Sequence, residues 1–340
     1  MTVEYEIVRY RPEFRTQVLE LETHLWSSDV AVNSAYLKWK YEQNPYSDTP
    51  LIYVALAEGK VVGMRGMYGA LWQIGESGQT LPGLCGADMV VAPEHRRRGL
   101  FTKINTVAMN DLARINHGYA FNFSAAPITF HASLRTGWRT VGPFRTVGRP
   151  AGEPTTHDRE RSREADRHVS AAQEAPRPEA LADLVERIGT DGRMRHVRDQ
   201  GYFAWRFRNP LNAYRFLFWE DARLEGYMVL QKRRHTRGGA IRILDWEATH
   251  PQVHEDLLYA AIDRCRSTAL LIWSATLGER TARLLQTAGF RRVNETQGVK
   301  DYRPGVLVRA VRDEMLDADW AVAGRRLLDM ANWDLRGIYS

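Results

Sequence analysis

Three consecutive arginines and a glycine form the run of this chain best suited to binding a charged ligand: Arg96, Arg97, Arg98 and Gly99. They follow an apolar segment that predicts a strand (residues 87–92) and precede a segment that predicts a helix (residues 100–115). The first N–H groups of a helix have no partner inside the helix, and the helix dipole adds positive charge at that end. Arginines add charged hydrogen bonds, and a glycine lets the backbone approach an anion closely. The basic turn (residues 92–99) is therefore predicted to hold a phosphate or pyrophosphate.

The same order of predicted elements occurs twice along the chain. A run rich in aromatic residues precedes a strand hairpin, a third strand, a helix, a fourth strand and a last helix that ends in glycine and an aromatic residue. The aromatic runs are residues 36–45 and 202–210, and the closing pairs are Gly137 with Trp138 and Gly289 with Phe290. A repeat of this length indicates a tandem duplication. Residues 149–178, charged and poor in large apolar side chains, are predicted to be a linker between the halves.

The spacing Arg96-x-x-Gly99-x-Phe101 resembles the Arg/Gln-x-x-Gly-x-Gly/Ala signature of the GNAT superfamily, whose members transfer acyl groups from acyl-CoA to amines. Phe101 departs from that signature, so altered contacts with the pyrophosphate are expected. The resemblance implies an α/β fold with two tandem GNAT-like domains, each a mixed, mostly antiparallel sheet flanked by helices. The expected boundaries are 1–148 for an acyl-CoA-binding domain, 149–178 for the linker, and 179–340 for a GNAT-like domain that lacks the pyrophosphate turn.

The second half has the strand and helix but neither the arginines nor the glycine of the basic turn. Instead Glu247, Glu255 and Asp256 place negative charge near the predicted helix start. Such charge stabilises the helix itself but repels a pyrophosphate. Acyl-CoA is therefore expected in the first half alone.

The resemblance also assigns residues to the acyl-CoA substrate. Backbone groups of Met89, Val90 and Val91 are expected to pair with the acyl carbonyl and the pantetheine. The pyrophosphate is expected on the turn and the first helical residues: Arg96, Arg97, Arg98, Gly99, Leu100, Phe101 and Thr102. Asn122 and Ser124 lie on the next predicted strand, where they either hydrogen-bond pantetheine amides or are ordinary polar positions of a sheet face.

Three residues are candidates for moving protons. A general base is needed because an amine with a pKa near that of lysine is mostly protonated at neutral pH. Asp88 is the first candidate, since it is a carboxylate among apolar neighbours; the alternative is that it pairs with a nearby arginine. His131 is the second candidate base, or else a surface or packing residue. Ser133 stands where many GNAT enzymes have a tyrosine that protonates the departing thiolate, although a thiol with a pKa of ~8.5 leaves without much help.

Composition narrows the remaining classes of function. The 340 residues carry 47 Lys and Arg against 41 Asp and Glu, a net charge of +6, which a polyanion such as CoA accounts for. No nucleic-acid-binding motif is present, so no nucleic-acid partner is expected. No run approaches the ~20 apolar residues of a membrane span, and the first residues lack a secretory pattern, so a cytoplasmic protein without membrane partner is expected. Neither a disulfide between Cys85 and Cys265 nor a metal site is expected.

The sequence thus predicts an acyl-CoA-dependent N-acyltransferase. Its donor is acetyl-CoA or another acyl-CoA, and its acceptor is a small-molecule amine that attacks directly in a ternary complex. Two alternatives remain at this point. One is a non-catalytic acyl-CoA-binding or scaffolding protein, favoured by Phe101 and by the missing tyrosine. The other is an enzyme that ligates an amino acid from aminoacyl-tRNA, which the positive charge permits but which needs no pyrophosphate turn.

Overall fold

The chain folds into two compact units in a computed structural model that describes residues 3–115, 118–234, 239–293, 304–312 and 320–337. The first unit comprises residues 1–142 and 304–332, and the second comprises residues 143–303 and 333–340. Each unit has its own sheet. No helix of the described residues is long and apolar enough to cross a membrane.

Nine α-helices and seventeen strands lie within the described residues, besides short 3-10 and π-helical turns. The helices are Arg15–Glu22 (α1), Val30–Leu37 (α2), Leu100–Arg114 (α3), Pro127–Leu134 (α4), Thr156–Ala165 (α5), Pro178–Ile188 (α6), Gln200–Arg206 (α7), Pro251–Arg264 (α8) and Glu279–Thr287 (α9). The strands are Glu6–Arg9 (β1), Leu51–Ala57 (β2), Lys60–Ile74 (β3), Gln79–Val91 (β4), Tyr119–Asn122 (β5), Arg139–Pro143 (β6), Thr146–Arg149 (β7), Val169–Gln173 (β8), Arg195–His196 (β9), Asn212–Glu220 (β10), Leu224–Arg233 (β11), Ile241–Ala248 (β12), Leu270–Trp273 (β13), Arg291–Arg292 (β14), Gly305–Ala310 (β15), Ala321–Val322 (β16) and Arg325–Arg326 (β17).

The sheet of the first unit runs in the order β1-β2-β3-β4-β5-β15-β6. Its pairs are antiparallel from β1 to β4, while β4 and β5 are parallel. Every residue of β2 is buried, and both α1 and α3 pack against strands of this sheet. A strand in such surroundings is apolar throughout rather than alternating, as the run LIYVALA is. Trp72 packs between Phe121 and Phe123 in the core of this unit, with ring centroids 5.1 and 5.6 Å away.

The second unit repeats this layout in the order β8-β10-β11-β12-β13-β7-β14. Its long strands are antiparallel, and β12 and β13 are its parallel pair. Helix α8 is buried along most of its length, from Val253 to Ile262, against a core of strand residues that includes Leu230 and Ile272. The α/β fold with two mixed, mostly antiparallel sheets is thus confirmed.

Both closing motifs form the same turn. Gly137 follows α4 with φ of 85°, and Gly289 follows α9 with φ of 83°. Trp138 N–H donates to the carbonyl of Ser133, and Phe290 N–H donates to the carbonyl of Leu285. Glycine adopts this left-handed conformation at little cost, which ends each helix and buries the following aromatic ring.

The division of the chain differs from the expected boundaries of 1–148, 149–178 and 179–340. Residues 149–178, expected to be a linker, contribute α5 and β8 to the second unit, and β8 pairs with β10. Polar interactions explain how so hydrophilic a stretch folds, because Thr155 and Asp158 cap α5 and Arg149 pairs with Asp158 at 2.7 Å. The segment 304–332 belongs to the first unit, where β15 pairs with β5 and its Leu307 is fully buried.

Candidate active site

The basic turn begins where β4 ends at Val91. Pro93–His95 form a single 3-10 turn, and Arg96, Arg97 and Arg98 follow with exposed side chains. Arg96 Nε donates to the carbonyl of Val91 at 3.0 Å, which ties the turn to the strand end. Arg97 has φ of 63°, so the backbone turns sharply inside the arginine run.

Gly99 opens helix α3 as its N-cap residue, with φ of 75°. A Cβ at this position would meet no protein atom within 4 Å. The protein itself therefore leaves open the space over the first N–H groups of α3, and the backbone angle, not crowding, requires glycine. An N-cap glycine supplies no side-chain acceptor, so these N–H groups are available to an anion. Leu100, Phe101 and Thr102 form the first turn of α3. Together with the basic turn, their N–H groups fit a pyrophosphate.

Strands β4 and β5 diverge next to this turn. Their parallel pairing covers Leu84 with Ala120 and Cys85 with Phe121, and the described residues show no pairing of the two strands beyond that point. Met89, Val90 and Val91 pair with β3 on their other side. The end of β4 expected to contact the thioester is therefore free of β5.

Asp88 is the extra residue of a β-bulge in this part of β4. Arg65 of β3 faces Met89, whereas the next residue, Gly66, faces Ala87. Asp88 itself has φ of 45°. This left-handed conformation costs an L-residue roughly 1–2 kcal/mol, and it persists where the surroundings hold it in place.

Three donors from one helical segment hold the Asp88 carboxylate. Lys40 Nζ and the Tyr36 hydroxyl each lie 3.2 Å from Oδ1, and the Tyr41 hydroxyl donates to Oδ2 at 2.5 Å. Lys40 Nζ also donates to the Tyr36 hydroxyl at 2.6 Å. Burial, and then the charge of Asp88, raise the pKa of Tyr36 and of Tyr41 well above 10, so both hydroxyls remain protonated donors.

The structure therefore does not place Asp88 as the base that the sequence predicts. Its side chain is 1% exposed and its oxygens are taken by three donors, whereas a general base must reach the proton that it removes. The alternative interpretation, an ion-paired carboxylate, fits, but the partner is Lys40 rather than an arginine.

Three further ionisable groups are buried near Asp88. Burial and then the negative charge of Asp88 raise the pKa of Glu22 to about 8. The positive charges of Lys40 and Arg15 lower this pKa but offset only part of the increase. Neither carboxyl oxygen of Glu22 has a hydrogen-bond partner among the described residues. Burial lowers the pKa of Arg65 to about 10, against the opposing effect of Tyr41 and Asp88. Cys85, also buried, has a pKa raised by burial to about 12, which disfavours a thiolate nucleophile.

The remaining predicted residues lie on β5, just after it, or on α4. Asn122 is buried, and its Oδ1 accepts from the backbone N–H of Ser124 at 2.9 Å, so the asparagine shapes the end of β5. Ser124 is exposed. His131 is half-buried on α4 with its ring edge-on to Phe130, and Ser133 is buried two residues further along.

The sequence alone does not mark Tyr36, Lys40 and Tyr41 as a polar cluster, because their run is rich in aromatic residues. The available signal is Lys40, which stands between the aromatic residues Trp39 and Tyr41. In the second half the corresponding run is one residue shorter between its tyrosine and its Asn-Pro pair. The extra residue of the first half is accommodated in a π-helical turn, Lys38–Glu42, and such turns occur frequently at functional sites.

The second unit has a much shorter connection after its equivalent strand. Only Thr249 and His250 separate β12 from α8, and α8 begins with a proline, which has no N–H. The acidic residues expected to repel a pyrophosphate are already engaged: Glu247 pairs with Arg198 and Arg336, Glu255 with Arg161, and Asp256 accepts from Trp219. The short turn, more than the acidic charge, removes the anion site.

Known proteins share this sequence pattern and fold. The acetyltransferase (GNAT) domain family matches residues 11–141. A GCN5-related N-acetyltransferase from Anabaena variabilis is 15% identical with a TM-score of 0.62, covering 91% of this chain and 73% of its own. One from Kribbella flavida is 15% identical with a TM-score of 0.60, covering 95% and 74%.

A tandem GNAT protein from the clavulanic acid biosynthesis pathway is 11% identical with a TM-score of 0.54, covering 91% of this chain and 99% of its own. At such identities the similarity concerns the fold. A search of curated proteins found no match. The first unit thus matches the acetyltransferase (GNAT) domain family over residues 11–141, and the chain as a whole has a fold similar to that of a tandem GNAT protein, with one sheet order in both units.

Proposed function

We propose that the first unit transfers an acyl group, acetyl in the simplest case, from acyl-CoA to a small-molecule amine. The observation that carries this proposal is the basic turn, with its open helix N-terminus, beside the point where β4 and β5 diverge. The pyrophosphate is held by the first N–H groups of α3 and by Arg96, Arg97 and Arg98. The thioester lies along the free edge of Met89–Val91.

The reaction needs little covalent participation by the protein. The amine nitrogen attacks the thioester carbonyl, the C–N bond forms, and the C–S bond breaks as thiolate leaves. Holding both reactants in place supplies much of the rate. Because Asp88 is occupied, we assign the proton of the attacking amine to His131, since imidazole is the side chain that most often serves as a general base in enzymes. Asn122 acts on the pantetheine indirectly, because its side chain shapes the end of β5.

The direct test is release of free thiol from acetyl-CoA over a panel of small amines. The proposal predicts amine-dependent thiol release, and a His131→Gln variant that loses the acidic limb of the pH–rate profile while it still binds acetyl-CoA. Absence of acetyl-CoA binding by the unmodified protein would contradict the proposal.

One observation favours a second candidate, an acyl-CoA-binding protein without turnover. Ser133, in the position of the usual acid, is buried, and the carboxylate of Asp88 on β4 is ion-paired. This candidate predicts acetyl-CoA binding with no thiol release for any amine, so the same experiment separates the two.

A further inference from the structure

The buried contacts around Asp88 point to a role that none of the comparisons assigns. We infer that Lys40, Tyr36 and Tyr41 hold the left-handed bulge at Asp88 and so position the backbone of Met89–Val91 for the acyl-CoA substrate. These are positioning residues, and the inference rests on the proposed function.

The bulge lies where its shape sets the direction of the backbone groups that are expected to bind the thioester. Asp88 directly precedes the three residues that present the free edge of β4, and the pairing with β5 has already ended at Cys85. A bulge bends its strand and changes the direction of the groups that follow. Any relaxation of φ at Asp88 therefore moves the backbone groups of Met89–Val91.

The three residues that hold the Asp88 carboxylate, Lys40, Tyr36 and Tyr41 (the clamp), are largely shielded from water. Lys40 is 10% and Asp88 1% exposed in their side chains, and Tyr36 and Tyr41 are each 2% exposed. Burying a carboxylate is costly unless it is ion-paired and hydrogen-bonded. Here the ammonium of Lys40 and the hydroxyls of Tyr36 and Tyr41 provide these interactions. The Lys40 ammonium also lies over the rings of Tyr36 and Tyr68, with distances of 5.0 and 5.1 Å to the ring centroids.

One glycine of the hairpin leaves space for this clamp, and a second leaves space for the neighbouring Arg65 side chain. A Cβ on Gly66 would lie 1.8 Å from the Tyr41 hydroxyl, and a Cβ on Gly86 would lie 2.3 Å from a guanidinium nitrogen of Arg65. The π-helical turn at Lys38–Glu42 then lets two consecutive residues, Lys40 and Tyr41, reach the same carboxylate.

The second unit provides an internal comparison. Its sheet also has a bulge, at Leu244 of β12, since Val229 faces Asp245 and Leu230 faces Ile243. Leu244 does not adopt a positive φ. The nearby carboxylate, Asp245, has a similar set of donors, Tyr227 at 2.6 Å and Arg198 at 3.0 Å, but it is not the bulge residue. Asp245 is therefore a matched control for breaking a buried ion pair.

The test uses the full chain and the variants Asp88→Asn, Lys40→Met and the double variant, with Asp245→Asn as control. We expect kcat/KM with acetyl-CoA to fall about 100-fold in each single variant, mainly through KM, as the thioester is misplaced. The double variant, which leaves no unpaired charge, regains part of the loss. The pH–rate profile keeps its shape, and amide hydrogen exchange at residues 86–91 accelerates. Asp245→Asn lowers thermal stability and leaves KM unchanged.

Two results would overturn the inference. One is loss of the acidic limb in Asp88→Asn together with normal kinetics in Lys40→Met, which would make Asp88 the base. The other is unchanged exchange at residues 86–91 in both single variants. If those variants do not fold, Tyr41→Phe removes one hydroxyl without creating an unpaired charge. It is expected to raise KM about tenfold, and an unchanged KM and exchange would also refute the clamp. If the unmodified protein binds no acyl-CoA, the proposed function fails, while the exchange comparison still tests the clamp.

Discussion

The two units share one sheet layout but differ in the connection that follows the central strand. In the first unit, residues 92–99 carry three arginines and end in a glycine that opens α3. In the second, Thr249 and His250 lead straight into a helix that begins with Pro251. The sheet, the bulge and the divergence of the parallel strands survive without an anion site. On the proposed function, the local turn and not the fold determines where acyl-CoA binds.

The two units also differ in what lies against the diverging strands. In the second unit, a cleft of about 190 Å³ borders β12 and β13 and is lined on one side by Asp334–Gly337. Arg336 donates to the carbonyl of Trp246 at 2.8 Å, and the N–H of Leu335 donates to Thr276 Oγ1 at 2.9 Å. Residues 334–337 thus occupy one backbone carbonyl of β12, that of Trp246, and one side chain beside β13.

The largest expected effect comes from breaking the basic turn. Gly99→Val places a β-branched residue at φ of 75° and fills the space that the pyrophosphate needs. We expect the affinity for acetyl-CoA to fall about 100-fold, because several charged hydrogen bonds to the pyrophosphate are lost. Calorimetric titration measures this affinity. Gly59→Val is the matched control, because Gly59 has φ of 76° and open space at its Cβ. Equal losses in both variants would show backbone strain rather than a lost anion site.

A smaller effect is expected from loosening the chain end in the second unit. Arg336→Met removes the donor to Trp246 and one partner of Asp245 and Glu247. Unpaired buried acceptors should lower the free energy of unfolding by about 1–3 kcal/mol, measured by chemical denaturation. Acetyl-CoA affinity should stay unchanged, and a matching loss of affinity would mean that the second unit takes part in binding.

A further expected effect is a change in how the free energy of unfolding depends on pH. The pKa of Glu22 is raised from 4.5 to about 8 in the folded protein, so its contribution is complete below pH 4.5 and is lost as the pH rises towards 8. The Glu22→Gln variant has no carboxyl group to ionise here, so it should become more stable than the unmodified protein as the pH rises from 5 to 8. The difference in the free energy of unfolding between the two proteins should grow by less than about 1.4 kcal/mol per pH unit. Parallel stability curves for the two proteins would show that Glu22 is ionised in the fold.

Local features of this protein could be predicted from its sequence, and distant pairings could not. The basic turn, β2 and the glycine that ends α4 each follow from a few neighbouring residues. The role of Asp88 depends on Lys40, which lies far away in sequence, so a lone carboxylate among apolar residues resembled a base. The stretch 149–178 resembled a linker because its stability comes from capping and ion pairs rather than from apolar burial. Strand β15 joins the first sheet across the whole second half, a connection that no local pattern indicates.

The central claim, that only the first unit binds acyl-CoA, is tested most directly by amide hydrogen exchange with and without saturating acetyl-CoA, combined with the calorimetric stoichiometry. The account predicts one site per chain, with protection at residues 89–102 and none at residues 245–256. Two sites per chain, or protection at the start of α8 in place of α3, would contradict it.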